Sequence, residues 1–345
     1  GKLFDFLKNY LSDRLQYVYI NEVTSRQKNI STGVPQGSVL GPLLFLIYIN
    51  DIINITNDCL LKLFADDTNL VVSDKTIEKL EIKANKCLVS ADKWFRANKL
   101  SLNITKTSYT IFFPTNTSST VRVNTNLNLK IGNTCITRVE SFKYLGIIVD
   151  ESLSWSQHIN SVYNKLIKYT SYFYKIRTIV PSYCLKKLYY AFIMPILSYG
   201  CEIYLNCADI HMKKLCVLNN KILRILTSMK YDSPIYEIYD AFKVPYITDL
   251  HKIRIMSILH THYHHQWQLP KSFIDKYKLI CDTNLRSTRF CNNFVVHKFK
   301  SYSGQRSSIY KFTVLWNSIP LNIKGIKSKK LFLDKLTNLF RNTYI

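Results

Sequence analysis

The chain has 345 residues, enough for two or three domains, and 47% of them are hydrophobic, which excludes a globally disordered protein. Lysine and arginine number 47 against 23 acidic residues, and a net charge of +24 is typical of proteins that bind an anionic partner, most often nucleic acid. Residues 1–150 contain 18 basic and 13 acidic side chains, whereas residues 151–345 contain 29 and 10. We therefore expect the second part to supply most of the affinity for a polyanion.

The nine cysteines include no Cys-x-x-Cys pair, which argues against a zinc ribbon and suits a reducing compartment. The N-terminal segment is an amphipathic helix interrupted by charge, and the longest apolar run, residues 39–49, falls short of the ~18 residues of a membrane span. We predict an intracellular protein, cytoplasmic, nuclear or both, that does not bind membranes. Because the chain begins with Gly1 rather than methionine, we also expect that an upstream segment is missing.

The first 150 residues show a mixed pattern of helical and strand periodicity. The predicted elements are a helix over 2–12, a strand pair over 16–20 and 27–31, a glycine-rich loop leading into a helix over 43–53, strands over 60–65 and 70–73, a helix over 76–97, and strands near 108–113, 121–123, 128–131 and 142–149. The polar stretch 114–120 is predicted to be a loop.

From residue 151 the pattern becomes helical, with predicted helices over 156–178, 182–199 and 210–228 that form a bundle. The remainder is basic and rich in tyrosine and histidine, and it ends in a helix near 329–342. We therefore predict three domains with the boundaries 1–150, 151–232 and 233–345.

Two adjacent aspartates, Asp66 and Asp67, separate two short apolar strands. One interpretation is a solvated hairpin turn, because aspartate tolerates turn geometry and bonds its own backbone. The other is a metal site, because carboxylate oxygens are the ligands that Mg²⁺ prefers, and two ions about 3.5–4 Å apart can drive an in-line displacement. The neighbouring sequence favours the metal site.

The string GVPQGSVLGPLLF at residues 33–45, followed by FADD at residues 64–67, resembles the reverse transcriptases of non-LTR retrotransposons, jockey-like elements especially. The resemblance implies that Asp66 and Asp67 are catalytic residues and ligands of Mg²⁺, with Mn²⁺ as the alternative ion. It also implies nucleotide or template contacts for Gly33, Pro35, Gln36, Gly37, Ser38, Phe64 and Ala65. Glycines at 33 and 37 would let the backbone approach a base pair closely.

Two further motifs follow in the order of the same family. The stretch 98–107 is similar to a motif with a lysine near the nucleotide phosphates, which implies that Lys106 neutralises or protonates the leaving pyrophosphate. Without that context, Lys106 is a charged residue in a turn. The stretch 142–149 resembles the primer-grip strands, with Leu145 and Gly146 at their turn; without that context it is a buried strand.

The resemblance implies an α+β fold. We expect a partial right-hand polymerase palm, an antiparallel sheet with helices, in residues 1–150, then a helical thumb and a mostly helical basic C-terminal region. A palm of this family uses a third carboxylate on an earlier strand, and neither Asp5 nor Asp13 has an apolar strand around it. We therefore expect that the fingers and the first catalytic motif are missing, and that the isolated chain is inactive.

The implied reaction is RNA-directed DNA synthesis, the magnesium-dependent addition of deoxynucleotides to a primer 3′ end. The implied partners are an RNA template, a DNA primer and deoxynucleoside triphosphates, and the oligomeric state stays open. The alternative function is a catalytically inactive transposon remnant that only binds nucleic acid. A second candidate metal site, His251 with the histidines of residues 260–265, is better explained as a polar helix end, because no cysteine lies at zinc-finger spacing.

Overall fold

A computed structural model describes residues 1–35, 37–113, 117–205, 207–230, 232–265, 270–283, 292–299, 304 and 307–342. Helices and short strands are mixed along the chain, which confirms the α+β class. The chain divides into two compact units, Gly1–Tyr109 with Val123–Val139, and Thr110–Arg122 with Glu140–Ile345. The three domains predicted from the sequence pattern have other boundaries than these two units, and they remain predictions.

The first unit contains three long helices and a set of short strands. Its helices are α1 (Lys2–Leu11), α2 (Leu40–Ile49) and α3 (Ile77–Ala97), with 3₁₀ turns at Asn50–Asn54 and Ile104–Lys106. Its strands are β1 (Arg14–Gln16), β2 (Tyr19–Ile20), β3 (Val23–Thr24), β4 (Lys28–Ile30), β5 (Leu60–Phe64), β6 (Asp67–Val71), β7 (Ser108–Tyr109), β8 (Lys130–Ile131), β9 (Thr134–Cys135) and β10 (Thr137–Arg138).

The second unit is largely helical. A short helix, α4 (Ser119–Asn124), is divided between the units after Arg122. Then follow β11 (Ser141–Tyr144), β12 (Ile147–Asp150), α5 (Ser156–Ile176), α6 (Ser182–Leu188), a π-helical turn (Tyr189–Ile193), α7 (Met194–Ser198), α8 (Cys201–Tyr204), α9 (Asp209–Thr227), α10 (Ile235–Phe242), α11 (Ile247–Tyr263), α12 (Lys271–Ile274), α13 (Ile280–Thr283), α14 (Ser308–Ser318), α15 (Leu321–Lys324) and α16 (Lys329–Asn342).

The expected antiparallel palm sheet is only partly present. Among the described residues, all strands lie in two-stranded pairs, and the pair β7 with β10 is parallel. The predicted strand pair over 16–31 is in fact two pairs, β1 with β4 and β2 with β3. Between them the Ser25 hydroxyl accepts the Val18 N–H at 2.8 Å, so a side chain interrupts the ladder.

Two predicted elements are wrong for local reasons. The alternation Val-Arg-Val predicts a strand over 121–123, but Ser118 accepts the N–H groups of Val121 and Arg122 and begins α4 there. Residues 114–116 of the predicted loop lie outside the described residues. The helix predicted over 182–199 is interrupted by the π turn, because Pro195 has no N–H and its ring crowds the carbonyl four residues earlier.

Hydrophobic burial holds each unit together. In the first unit, Ile49, Ile52, Ala91 and Phe95 form a small core between α2, the 3₁₀ turn and α3. In the second, a large core lies between α5, α9 and α10, and another surrounds Trp316 and Phe332. No described helix has both the length and the apolar character needed to cross a bilayer.

Asp150 organises the connection between β12 and α5. Its buried carboxylate accepts hydrogen bonds from the backbone and hydroxyl groups of Ser152 and Ser154 and from the Trp155 N–H, at 2.8–3.2 Å. Burial alone would raise the pKa of Asp150, but these hydrogen bonds outweigh burial and lower the pKa below its ordinary value of 3.8. The carboxylate therefore stabilises the folded state above that pH.

We predict that Asp150→Ala lowers the free energy of unfolding by about 2 kcal/mol at pH 7, because buried amide and hydroxyl donors lose a charged acceptor. The folded-state pKa is below the unfolded one, so the difference from the wild type should shrink as the pH falls below 3.8 and through the folded pKa. Urea unfolding at several pH values measures this difference. Asp74→Ala, at an exposed position, is the control, and an equal loss in both variants would contradict the prediction.

Candidate active site

The hairpin of β5 and β6, here called the aspartate hairpin, has two different faces. The strands pair antiparallel from Leu60 opposite Val71 to Phe64 opposite Asp67. Side chains alternate along a strand, so one face turns Leu61, Leu63 and Leu70 onto the core of the first unit. The opposite face carries Leu60, Lys62, Phe64, Asp67, Asn69 and Val71, and all but the half-buried Asn69 are exposed.

The turn of this hairpin consists of Ala65 and Asp66, while Asp67 already belongs to β6. Ala65 has a φ of +49°, in the left-handed region that costs a non-glycine residue roughly 1–2 kcal/mol. A positive φ at only the first central residue is the pattern of a type II′ turn, in which glycine is usual there. Both aspartates are exposed, so the hairpin turn offered by the sequence is present and both carboxylates are accessible.

The two carboxylates suit a divalent cation. In the described part of the chain, no hydrogen bond or ion pair engages the side chain of Asp66 or Asp67. The described residues contain no group of three or more histidine, cysteine or acidic side chains that could enclose a metal ion. Mg²⁺, however, is commonly held by one or two carboxylates together with substrate phosphates and water, so an open carboxylate pair fits this ion.

The glycine-rich loop is shaped by its own hydrogen bonds. Gly33 and Gly37 both have a φ of +78°, a conformation that favours glycine. The Ser38 hydroxyl donates to the Pro35 carbonyl at 2.8 Å, accepts the Gly41 N–H at 3.1 Å, and lies 2.5 Å from the Tyr10 hydroxyl. Ser38 therefore holds the loop in place, a role that the sequence did not reveal. Gln36 lies outside the described residues.

Lys106 ends the 3₁₀ turn Ile104–Lys106, and its side chain is exposed. Asn103 caps this turn, because its side-chain oxygen accepts the Lys106 N–H and the Thr105 hydroxyl at 3.3 and 2.7 Å. The cap fixes the backbone from which the lysine extends.

Leu145 and Gly146 form the turn between β11 and β12, and they belong to the second unit. Their φ angles of +46° and +82° are those of a type I′ hairpin turn, which matches the twist of the two strands. The prediction that these two residues occupy a turn is confirmed.

Lysines surround two shallow grooves on α5 and α9. One groove is lined by Tyr163, Ile167, Ile210, Lys213, Lys214, Val217, Leu218 and Lys221, and the other by Gln157, Asn160, Ser161, Asn164, Lys165 and Lys168. The Lys214 ammonium donates to the Asn160 side chain at 2.7 Å and lies 4.4 Å from the centre of the Tyr163 ring. We call this surface the lysine groove. Its exposed ammonium groups can neutralise phosphates.

Three histidines at the C-terminal end of α11 have a structural explanation. His260, His262 and His264 contact the backbone carbonyls of Ile326, Tyr277 and Lys324 through their Nε2 atoms, at 2.6, 3.0 and 2.9 Å. Burial lowers the pKa of His260, which favours its neutral form. These contacts support the interpretation of a polar helix end over that of a metal site.

The comparison with known families agrees with this geometry. The model of the family described as "Reverse transcriptase (RNA-dependent DNA polymerase)" matches residues 2–149, which contain the glycine-rich loop, the aspartate hairpin, Lys106 and the turn at Leu145. Residues 2–149 are therefore a reverse transcriptase domain.

Curated relatives identify the type of reverse transcriptase. The RNA-directed DNA polymerase from mobile element jockey of Drosophila melanogaster is 28% identical over 258 residues, 72% of this chain and 27% of the relative. That of Drosophila funebris is 27% identical over 263 residues, 73% and 28% of the two chains. The probable RNA-directed DNA polymerase from transposon X-element of Drosophila melanogaster is 26% identical over 235 residues, 66% and 25%. The domain thus belongs to the reverse transcriptases of non-LTR retrotransposons, as the motifs predict.

The chain spans about a quarter of the length of these relatives. No solved structure matches it.

We predict that Ala65→Val destabilises the aspartate hairpin by about 1–2 kcal/mol, because a β-branched residue tolerates a positive φ poorly. Ala65→Gly should change the stability little, since relief of strain is offset by the greater freedom of glycine in the unfolded chain. Urea unfolding of both variants is the measurement. A valine variant as stable as the glycine variant would show that this turn is not left-handed.

Proposed function

We propose that the chain is part of an RNA-directed DNA polymerase that copies an RNA template by adding deoxynucleotides to a DNA primer. The observation that carries this proposal is that the carboxylates of Asp66 and Asp67, at the tip of a hairpin within the reverse transcriptase domain, are exposed and have no side-chain partner among the described residues. A solvated turn alone would not explain why the hairpin tip, the glycine-rich loop and Lys106 all lie within the residues that match one family model.

Asp66 and Asp67 would hold the divalent ion, for which we propose Mg²⁺. When bound, such ions activate the attacking hydroxyl and stabilise the leaving oxygen of an in-line displacement. The hairpin keeps the two carboxylates in place, because Leu61 and Leu63 anchor β5 in the core. Lys106 would neutralise the charge of the leaving pyrophosphate, and the exposed Phe64, opposite Asp67, would contact the incoming nucleotide.

We further propose that the helices of residues 151–232 act as the thumb, and that residues 233–345 add a basic nucleic-acid-binding region. The lysine groove supports the first assignment, since five lysines of α5 and α9 line it. It equally suits the second candidate function, a remnant that binds nucleic acid without catalysis. The two candidates differ only in whether a complete set of metal ligands can form around Asp66 and Asp67.

We predict that the 345-residue chain alone extends no primer, because the resemblance implies a third carboxylate and the described residues contain no group of three acidic, histidine or cysteine side chains that could enclose a metal ion. A longer polymerase that includes the preceding palm strand and fingers should extend the primer, and Asp66→Asn should abolish that extension. Ligands that act as a unit fail together. Primer–template binding by the variant should stay nearly unchanged, and Asp74→Asn serves as the control.

Extension by the chain alone in Mg²⁺ would contradict this prediction and would mean that another carboxylate completes the site. An inactive longer polymerase would favour the remnant that only binds nucleic acid. The assay is gel-resolved primer extension on an RNA template.

We also predict that the lysine groove dominates binding to duplex nucleic acid. Replacing Lys165, Lys168, Lys213 and Lys221 by glutamine should weaken binding of a DNA duplex. The slope of log K against log[salt] should become less steep by about 3–4, since each phosphate contact contributes roughly 0.9. The control, which removes the same charge from exposed positions of the first unit, replaces Lys75, Lys79, Lys93 and Lys99. Equal effects of the two sets, measured by fluorescence anisotropy, would contradict the prediction.

A further inference from the structure

Tyr199 contacts the turn of Leu145 and Gly146 although 54 residues separate it from Leu145. Tyr199 follows α7 directly, where the backbone becomes extended at a ψ of 111°, and its N–H still donates to the Pro195 carbonyl. The Tyr199 hydroxyl donates to the Leu145 carbonyl oxygen at 2.6 Å. The side chain is 58% exposed, so this bond lies at the surface rather than in the core.

The ring of Tyr199 also lies against Gly146. A Cβ atom at Gly146 would be 3.1 Å from Cε1 of Tyr199 and 3.4 Å from its hydroxyl oxygen. Gly146 is therefore required for two reasons, its φ of +82° and the closeness of this ring. Tyr199 thus holds the turn by a hydrogen bond at Leu145 and by packing against Gly146.

Gly200 completes the contact from the same segment. It has a φ of +67°, and a Cβ atom there would collide with Cδ1 of Ile147, the first residue of β12. Because Gly200 has no side chain, the buried Ile147 can approach the segment that carries Tyr199. Two consecutive residues, Tyr199 and Gly200, thus contact the 145–146 turn and the strand β12 that follows it.

A second contact holds β12 farther from the turn. The Ile148 N–H donates to Nδ1 of the buried His158 on α5 at 3.2 Å, and the His158 ring packs edge-on against Tyr204 at 4.7 Å. The hairpin of β11 and β12 is therefore attached to the helices at both its turn and its strand. All of these residues belong to the second unit.

From these contacts we infer that Tyr199 is a positioning residue: it holds the 145–146 turn in the orientation that places the primer 3′ end. The inference rests on the proposed polymerase function and on the primer-grip role that the resemblance implies for Leu145 and Gly146. It goes beyond that function by attaching the grip to the helical unit that also carries the lysine groove. One compact unit would then hold both the primer end and the duplex behind it.

The test uses the 345-residue chain bound to a DNA primer on an RNA template, with 2-aminopurine at the primer 3′ terminus. Tyr199→Phe removes only the hydroxyl and should shift the ratio of docked to undocked turn by about two- to tenfold, the worth of one hydrogen bond. The terminal fluorescence change on binding should fall accordingly. The dissociation constant should stay within about threefold, because phosphate contacts supply most of the affinity. A second 2-aminopurine well inside the duplex should report no change.

The matched control is Tyr190→Phe, which removes the hydroxyl of another exposed tyrosine that donates to a backbone carbonyl, that of Lys243 at 3.2 Å. It should leave both fluorescence signals as in the wild type. An unchanged terminal signal in Tyr199→Phe, or the same loss in Tyr190→Phe, would overturn the inference.

Amide hydrogen exchange of the chain without nucleic acid separates this inference from the proposed function. Tyr199→Phe should accelerate exchange in residues 145–148, and an unchanged rate would overturn the positioning role whatever the primer does. If the wild-type chain gives no terminal signal although exchange responds to Tyr199→Phe, the primer-grip function itself is wrong and the inference fails with it.

Discussion

The alternation of side chains along the aspartate hairpin determines where the candidate active site can lie. Leu61, Leu63 and Leu70 are half-buried against the core between α2 and α3, and each Å² of apolar surface removed from water is worth about 25 cal/mol. With that face inward, Asp67 must point to the exposed face and Asp66 must occupy the tip. A slip of one residue in register would expose the leucines and bury the carboxylate. The hydrophobic core thus fixes the position of the two carboxylates, although it lies on the opposite side of the hairpin.

The second unit uses polar contacts for a similar purpose. Asp150 accepts hydrogen bonds from the segment between β12 and α5. His158 and Tyr199 form hydrogen bonds with backbone groups of the hairpin of β11 and β12. These contacts make the hairpin of β11 and β12 part of the second unit. Residues 140–345 of this unit also contain most of the net positive charge of the chain. A polymerase must hold a reactive end and a long polyanion at once. In the proposed polymerase, the carboxylates of Asp66 and Asp67 belong to one unit and the lysine groove belongs to the other.

Much of this organisation could be predicted from the sequence, where strong periodicity or a motif was present. The helices α1, α3, α5, α9 and α16 occur within about two residues of their predicted ends, because each has an apolar stripe. The accessible position of Asp66 and Asp67 was predictable from the apolar strands around them.

The strand predicted over 121–123 was wrong, because a serine cap outweighed a short alternation. The start of α2 before Pro42 was also missed, since proline is accepted in a first helical turn. The left-handed conformation of Ala65 had no local signal in the sequence, because it depends on strand pairing. The contact of Tyr199 with Leu145 had none either, because it joins distant segments.

The central claim is that Asp66 and Asp67 hold a divalent ion, and iron-mediated cleavage tests it most directly. In a complex with primer–template and nucleotide, Fe²⁺ replaces Mg²⁺, and added hydrogen peroxide and ascorbate then generate hydroxyl radicals that cut the polypeptide near the bound ion. We expect cuts within residues 60–71 that disappear when both aspartates are replaced by asparagine and persist in Asp74→Asn. Cuts confined to other segments, or an unchanged pattern in the double variant, would contradict it.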